Sequence, residues 1–166
     1  MWDVYVNDLG MIEPTQSVNE RLRDGNNYKV NIVVLGTGIP EYLEGWAFAG
    51  YDNQGFGYLM MDVAAMAVSP PSMVIPHELG HVMVFHQLGW STNDLVGPWH
   101  EAMANWFREQ FVLSDQYKAL PGANATTGEF FTQYVRNYNF TPGVPRAYYE
   151  AWPIMEYLTE NPDNLN

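Results

Sequence analysis

Apolar residues recur over the first ten positions at Trp2, Tyr5, Val6 and Leu9. That i, i+3, i+4, i+7 spacing lines one side of a short helix, and Gly10 ends it. A polar stretch runs to Asn27, after which Tyr28, Val30 and Ile32 alternate with Lys29 and Asn31 and lead into Val33-Val34-Leu35. Residues 28–35 therefore read as a strand, closed by a turn at Gly36-Thr37-Gly38. Two more strand-like runs, 45–50 and 57–63, flank the polar, glycine-bearing stretch 51–55 and predict a hairpin.

The second half changes period. Residues 74–88 read as a helix, with Pro76 near the first turn, where a missing N–H does least harm, and Gly89 as the stop. The polar loop Ser91-Thr92-Asn93-Asp94 follows. Pro98 opens a second helix reaching about Leu113, with Met103, Trp106, Phe107 and Phe111 on one face. Two further helices are expected near 128–138 and 147–159. Strands first and helices afterwards describe an α+β architecture, a small N-terminal β-sheet packed on a helix and on further C-terminal helices.

At 166 residues the chain is expected to form a single domain, 1–166, that can bury a core without staples. Hydrophobic residues at 47% exclude a disordered polymer despite a net charge of -12. That charge reflects 19 acidic against 7 basic residues, so the surface repels phosphodiesters and nucleic acid is a poor partner. With no cysteine, disulfides, thiolate zinc sites and Cys nucleophiles drop out together. Any metal must be held by His and carboxylate. No run approaches the roughly 18 apolar residues of a membrane span, and Met1-Trp2-Asp3-Val4 lacks the basic start of a targeting segment. A soluble domain is expected, with room for a longer parent protein around it.

All four histidines, His77, His81, His86 and His100, fall within residues 77–100. His77-Glu78-Leu79-Gly80-His81 is an H-E-x-x-H pattern. Four helical residues advance by about 400°, so His77 and His81 project within about 40° of each other and can reach one ion. Glu78 stands about 100° round, placed to touch a water rather than the ion. Gly80 weakens the helix by about 1 kcal/mol relative to Ala, which makes sense if another backbone or a substrate comes close. A catalytic zinc site takes three protein ligands and keeps one position open. The third ligand is expected from the next helix, which supplies both His100 and Glu101. Glu101 lies 20 residues after His81, a spacing that lets an antiparallel helix carry it back over the imidazoles. His100, on the face of Ala104, Phe107 and Phe111, points more toward the core. At such a site Glu78 takes a proton from a water whose pKa zinc lowers toward about 7, and returns it to the leaving amine.

His77-Glu78-x-x-His81 followed by Glu101-Ala102-Met103-Ala104-Asn105 resembles the gluzincin arrangement of thermolysin-like zinc metallopeptidases, in which E-x-x-x-D follows on a second helix. The wider set Leu35-Gly36-Thr37-Gly38-Ile39-Pro40, Gly45-Trp46-Ala47-Phe48 and Trp99-His100-Glu101-Ala102-Met103-Ala104-Asn105-Trp106 is similar to secreted bacterial and fungal metallopeptidase-like proteins related to a plant-pathogen virulence factor. The resemblance implies a zincin-like fold, Zn²⁺ as cofactor, and His77, His81 and Glu101 as its ligands with Glu78 catalytic. It departs from the pattern at Asn105, where gluzincins often have Asp. An amide can still orient a ligand histidine through its carbonyl oxygen, with less charge support.

The expectation is a secreted zinc endopeptidase acting on extracellular proteins or glycoproteins. The alternative is a zinc-stabilised module that binds glycan or protein with weak or no peptidase activity, and a metallohydrolase of non-peptide amides or esters is a third. Tyr148 and Tyr149 are candidate donors for the oxyanion. His86, about 180° round from His77, should face away from the site. Trp46, Phe48, Tyr51, Phe56 and Tyr58 could form a sugar-stacking platform, although alternating strand aromatics are more often core; the hairpin could also offer an edge strand to an extended peptide. Asn124-Ala125-Thr126 and Asn139-Phe140-Thr141 match the N-glycosylation pattern.

Overall fold

The computed structural model describes residues 1–36, 47–67, 70, 72–87, 97–123, 149, 151–161 and 163–164. The helix expected near 128–138, the loop 91–94, Gly89, Trp46, Tyr148 and both glycosylation patterns lie outside these residues.

Three strands, β1 (Asn31–Leu35), β2 (Ala47–Tyr51) and β3 (Gly57–Asp62), form one sheet with β3 in the centre. β2 and β3 pair antiparallel with Ala49 opposite Leu59, as a hairpin should, and β1 joins β3 in parallel with Ile32 opposite Leu59. The hairpin turn is held by Asp52, whose Oδ1 accepts from the backbone N–H of Gln54 and of Phe56, each at 2.9 Å. β2 runs one residue past its pattern, through Tyr51, and two other strand boundaries differ from the sequence pattern. Tyr28 does not enter β1, because its N–H donates to the Thr15 carbonyl at 2.8 Å and its hydroxyl to Asp24 at 2.6 Å. Val63 does not extend β3: the Asp62 side chain accepts from Ala64 N–H at 2.7 Å and caps the short helix α1 (Val63–Met66).

Helix α2 (Val74–His86) lies against the sheet, and residues 75–84 are all buried. A helix covered this fully has neighbours on several sides. On one side is β3, whose Gly57, Leu59 and Met61 are buried; a Cβ at Gly57 would stand 2.5 Å from Val82 Cγ1. On another is α3 (Gly97–Leu113), which begins and ends close to where its sequence pattern does. The N-terminal segment covers a third part of the core. It is helical as expected, but its register is a π-helix (Asp3–Asp8) with Leu9 N–H bonded to the Val4 carbonyl at 2.9 Å. Of the expected stripe Tyr5 is buried and Val6 and Leu9 pack partly buried against the core, while the wider turn also buries Val4. Tyr5, fully buried, donates its hydroxyl to the Pro76 carbonyl at 3.1 Å.

Beyond α3, Ser114 caps the single-turn α4 (Asp115–Lys118). The last expected helix is described as α5 (Trp152–Glu160). It is tied to α3 through Glu156, which accepts from Trp106 Nε1 at 3.0 Å and from Gln110 Nε2 at 2.5 Å. Among the described residues the architecture is a mixed α+β one, a small three-stranded sheet with helices packed on it. Leu59, Met61, Val82, Met83 and Phe107 meet in its core, each such side chain stabilising the fold by about 1.5–3 kcal/mol. His86 faces away from the other histidines as expected and is buried, only 6% exposed, with Nδ1 2.8 Å from the Val82 carbonyl. Among the described residues no helix is long and apolar enough to cross a membrane.

Gly80 occupies a point of close approach between α2 and α3. A Cβ there would lie 2.9 Å from Phe107 Cβ and 3.1 Å from both Cα and the carbonyl oxygen of Ala104. Alanine would gain about 1 kcal/mol of helix propensity but would force two helix backbones apart, an overpacking that typically costs about 1–3 kcal/mol. Gly80→Ala is therefore expected to lower the midpoint of denaturant unfolding, and an unchanged or raised midpoint would show that the two helices can separate freely.

Candidate metal centre

His77 and His81 sit one turn apart on α2, and their rings stand edge to face with centroids 4.8 Å apart. Glu101 reaches them from the first part of α3. His77 Nε2 and His81 Nε2 are 3.2 Å apart, and Glu101 Oε2 is 3.1 Å from the first and 3.3 Å from the second. These three are the described His and carboxylate groups whose ligand atoms converge on one point. His77 is 9% exposed and His81 8%, whereas Glu101 is half-buried.

The protons around His77 can be worked out from its neighbours. The Asn105 amide donates through Nδ2 to the Tyr149 carbonyl at 2.6 Å, which turns its Oδ1 toward His77 Nδ1 at 2.7 Å. An amide oxygen only accepts, so His77 carries a proton on Nδ1. In the neutral ring the Nε2 lone pair then points at the Glu101 carboxylate and at His81. A proton can bridge one of these contacts; a cation at the centre satisfies all three. Tetrahedral coordination with bonds of about 2.0–2.1 Å puts neighbouring ligand atoms about 3.3–3.4 Å apart, close to the separations found. The donor set, two imidazoles and one carboxylate, suits a borderline divalent ion and excludes a soft-metal site. The residues present fit such an ion.

Electrostatics agree with this arrangement. Burial pushes the Glu101 carboxyl up, but the hydrogen bonds that His77 and His81 donate when they carry a proton toward it, and the charge that comes with that proton, outweigh burial and hold the group at about 2. Glu101 is thus an anion facing the imidazoles. Glu78, 7% exposed, behaves in the opposite way: burial raises it, His77 and His81 pull it back, and Glu101 raises it again, leaving it above the ordinary carboxylate range. A carboxylate of raised pKa beside a water position is a better proton acceptor than a free one.

The three candidate ligands and Glu78 open into a cleft of about 530 Å³. Its far wall is β2, and Phe48, Tyr51, Tyr58, Phe85, His100 and Tyr149 also line it. His100 is a correction to the sequence reading, since it borders the cleft with its ring 5.4 Å from Phe85 instead of entering the core. It stays outside the converging set of ligand atoms. Phe48 and Tyr51 are likewise not core, at 47% and 41% exposed. Phe85 is a wall residue that motif reading passed over, although its position one turn beyond His81 was a usable signal; its ring lies 6.4 Å from that of His81. Of the two candidate tyrosines, Tyr149 borders the cleft with its ring stacked on His77 at 6.1 Å.

Residues 1–162 match a family described as a family of unknown function, DUF6055, and the chain belongs to it. Neither the comparison with curated proteins nor that with solved structures returns a match.

Loss of a ligand should be separable from loss of a wall. Glu101→Ala is expected to weaken zinc binding by at least about 100-fold, while His100→Ala leaves it within a few-fold, since removing even an outer partner of a ligand typically costs 10–100-fold. Competition with a chromogenic chelator measures both, and the reverse order would make His100 the third ligand.

Proposed function

We propose that this chain is a zinc-dependent peptidase of gluzincin type, with a zincin-like fold, that hydrolyses peptide bonds of extracellular proteins or glycoproteins. The observation that carries the reading is the convergence of His77, His81 and Glu101 on one side of an open cleft, with the buried Glu78 beside them. A non-catalytic metal site has no use for a raised carboxylate at that place or for an open approach.

Bound there, zinc would supply Lewis acidity, acidifying a water and polarising a carbonyl. The chain's own groups do the rest. Glu78 accepts a proton from the attacking water as its oxygen bonds to the carbonyl carbon, then gives that proton to the amine nitrogen as the C–N bond breaks. Tyr149, on the cleft wall against His77, is the candidate donor to the carbonyl oxygen as it gains charge. β2 is an edge strand of the described sheet and borders the same cleft, so its backbone can pair with an extended peptide. A secreted location accords with such a substrate.

A second reading has a specific observation in its favour. The exposed Phe48 and Tyr51 provide stacking surface for a sugar ring, which suits a metal-stabilised glycan-binding or protein-binding module with little peptidase activity.

One comparison separates the two. Zinc-loaded protein should digest unfolded casein, a chelator should stop it, and Glu78→Gln should lower kcat/KM by about 10²–10⁴-fold, the usual contribution of a general base, with zinc content retained. Undiminished digestion by Glu78→Gln would refute the mechanism. Absence of digestion by the zinc-loaded wild type would favour the binding module.

A further inference from the structure

Asn105 stands where a gluzincin-like pattern leads one to expect aspartate. It lies four residues after Glu101, so the third ligand and the partner of His77 share one face of α3. It is 3% exposed and uses both ends of its amide: Oδ1 meets His77 Nδ1 at 2.7 Å, and Nδ2 donates to the main-chain carbonyl of Tyr149 at 2.6 Å. That carbonyl belongs to a residue 44 positions away. The Tyr149 ring stacks on His77 with an interplanar angle of 30° and is 37% exposed at the cleft. The same short side chain therefore holds both faces of one contact, the imidazole and the residue laid over it.

An aspartate would satisfy only half of this. Its carboxylate would bond more strongly to the His77 N–H, but it has no proton for the Tyr149 carbonyl and would set two acceptor oxygens against each other. The amide is the side chain of this size and shape that accepts on one side and donates on the other. We propose that Asn105 is a positioning residue with two functions, fixing His77 as a ligand and anchoring Tyr149 over it as the wall that faces the substrate. The departure from aspartate exchanges charge on the imidazole for that anchor. The inference about turnover rests on the peptidase reading; the anchor itself does not.

The test compares Asn105→Asp, Tyr149→Phe and the double variant in the zinc-loaded protein. In Asn105→Asp zinc affinity should stay within about 3-fold of wild type or tighten, because the bond to His77 survives. Hydrogen–deuterium exchange in peptides spanning Tyr149 should rise at least about 5-fold, with peptides from α2 unchanged, as expected when one local anchor is lost. On a peptide substrate kcat should fall to the level of Tyr149→Phe, about 10-fold or more, with KM little changed, and the double variant should be no worse than either single one. Unchanged exchange at Tyr149 in Asn105→Asp would overturn the anchor, and multiplicative effects of the two substitutions on kcat would overturn its role in turnover. If a buried carboxylate unfolds the chain, Asn105→Ala at saturating zinc takes its place: faster exchange at Tyr149 and a non-multiplicative loss of kcat are again expected, and their absence again overturns the anchor and its role in turnover respectively. Faster exchange at Tyr149 in a chain that cleaves no peptide would refute the peptidase reading and leave the anchor standing.

Discussion

Where α2 passes α3, Ala104 and Phe107 lie so near Gly80 that a single added carbon would stand 2.9 Å from Phe107 Cβ. This close approach sets the separation of the two helices at the level of the histidines. One turn before Ala104 is Glu101, and next to it is Asn105. With the helices at this distance, Glu101 reaches both imidazoles at 3.1–3.3 Å and Asn105 reaches the far nitrogen of His77 at 2.7 Å. A side chain at Gly80 would push all of these contacts outward together. The helix accepts the propensity penalty of a buried glycine, and the other faces of α2 hold it in place through Gly57 and Val82 and through the Tyr5 hydroxyl on Pro76.

The chemistry depends on the same geometry in a second way. Without a proton or a cation between them, the Glu101 carboxylate and the two imidazole nitrogens 3.1–3.3 Å from it form a cluster whose lone pairs point at one another. Such a cluster is unfavourable unless something positive sits within it. The hydrogen bond from the Asn105 amide to Tyr149 determines which end of the amide faces His77, and hence which imidazole nitrogen remains available. One turn of α2, one turn of α3 and one main-chain carbonyl thereby define a place for a cation, and Glu78 stands beside it with its affinity for a proton raised.

Much of this was legible in the sequence because it is periodic or local. The 3.6-residue period placed α2 and α3, the i, i+4 pair His77 and His81 announced a shared face, and Gly80 announced a close neighbour. What the period does not contain is what a face will meet. Tyr28 carries a strand-forming pattern but is taken out of β1 by Thr15 and Asp24, which lie in the polar stretch before it. The N-terminal stripe predicted an α-helix, whereas a π register turned Val4 inward. His100 sits on a face that reads as core, yet it borders the cleft because Phe85 of α2 lies opposite it. The partnership of Asn105 with Tyr149 spans 44 positions, and no local rule of spacing reaches that far. The α+β class and the clustering of His77, His81 and Glu101 are therefore readable from short-range order, while the walls of the cleft depend on long-range packing.

His77, His81 and Glu101 are expected to hold one divalent metal ion together. A crystal of the zinc-soaked protein, with diffraction recorded on both sides of the zinc absorption edge, locates that ion. One anomalous peak per chain is predicted, about 2.0–2.2 Å from His77 Nε2, His81 Nε2 and a Glu101 carboxylate oxygen. A peak lodged elsewhere, or none between these three side chains at saturating zinc, would contradict a site shared by the three.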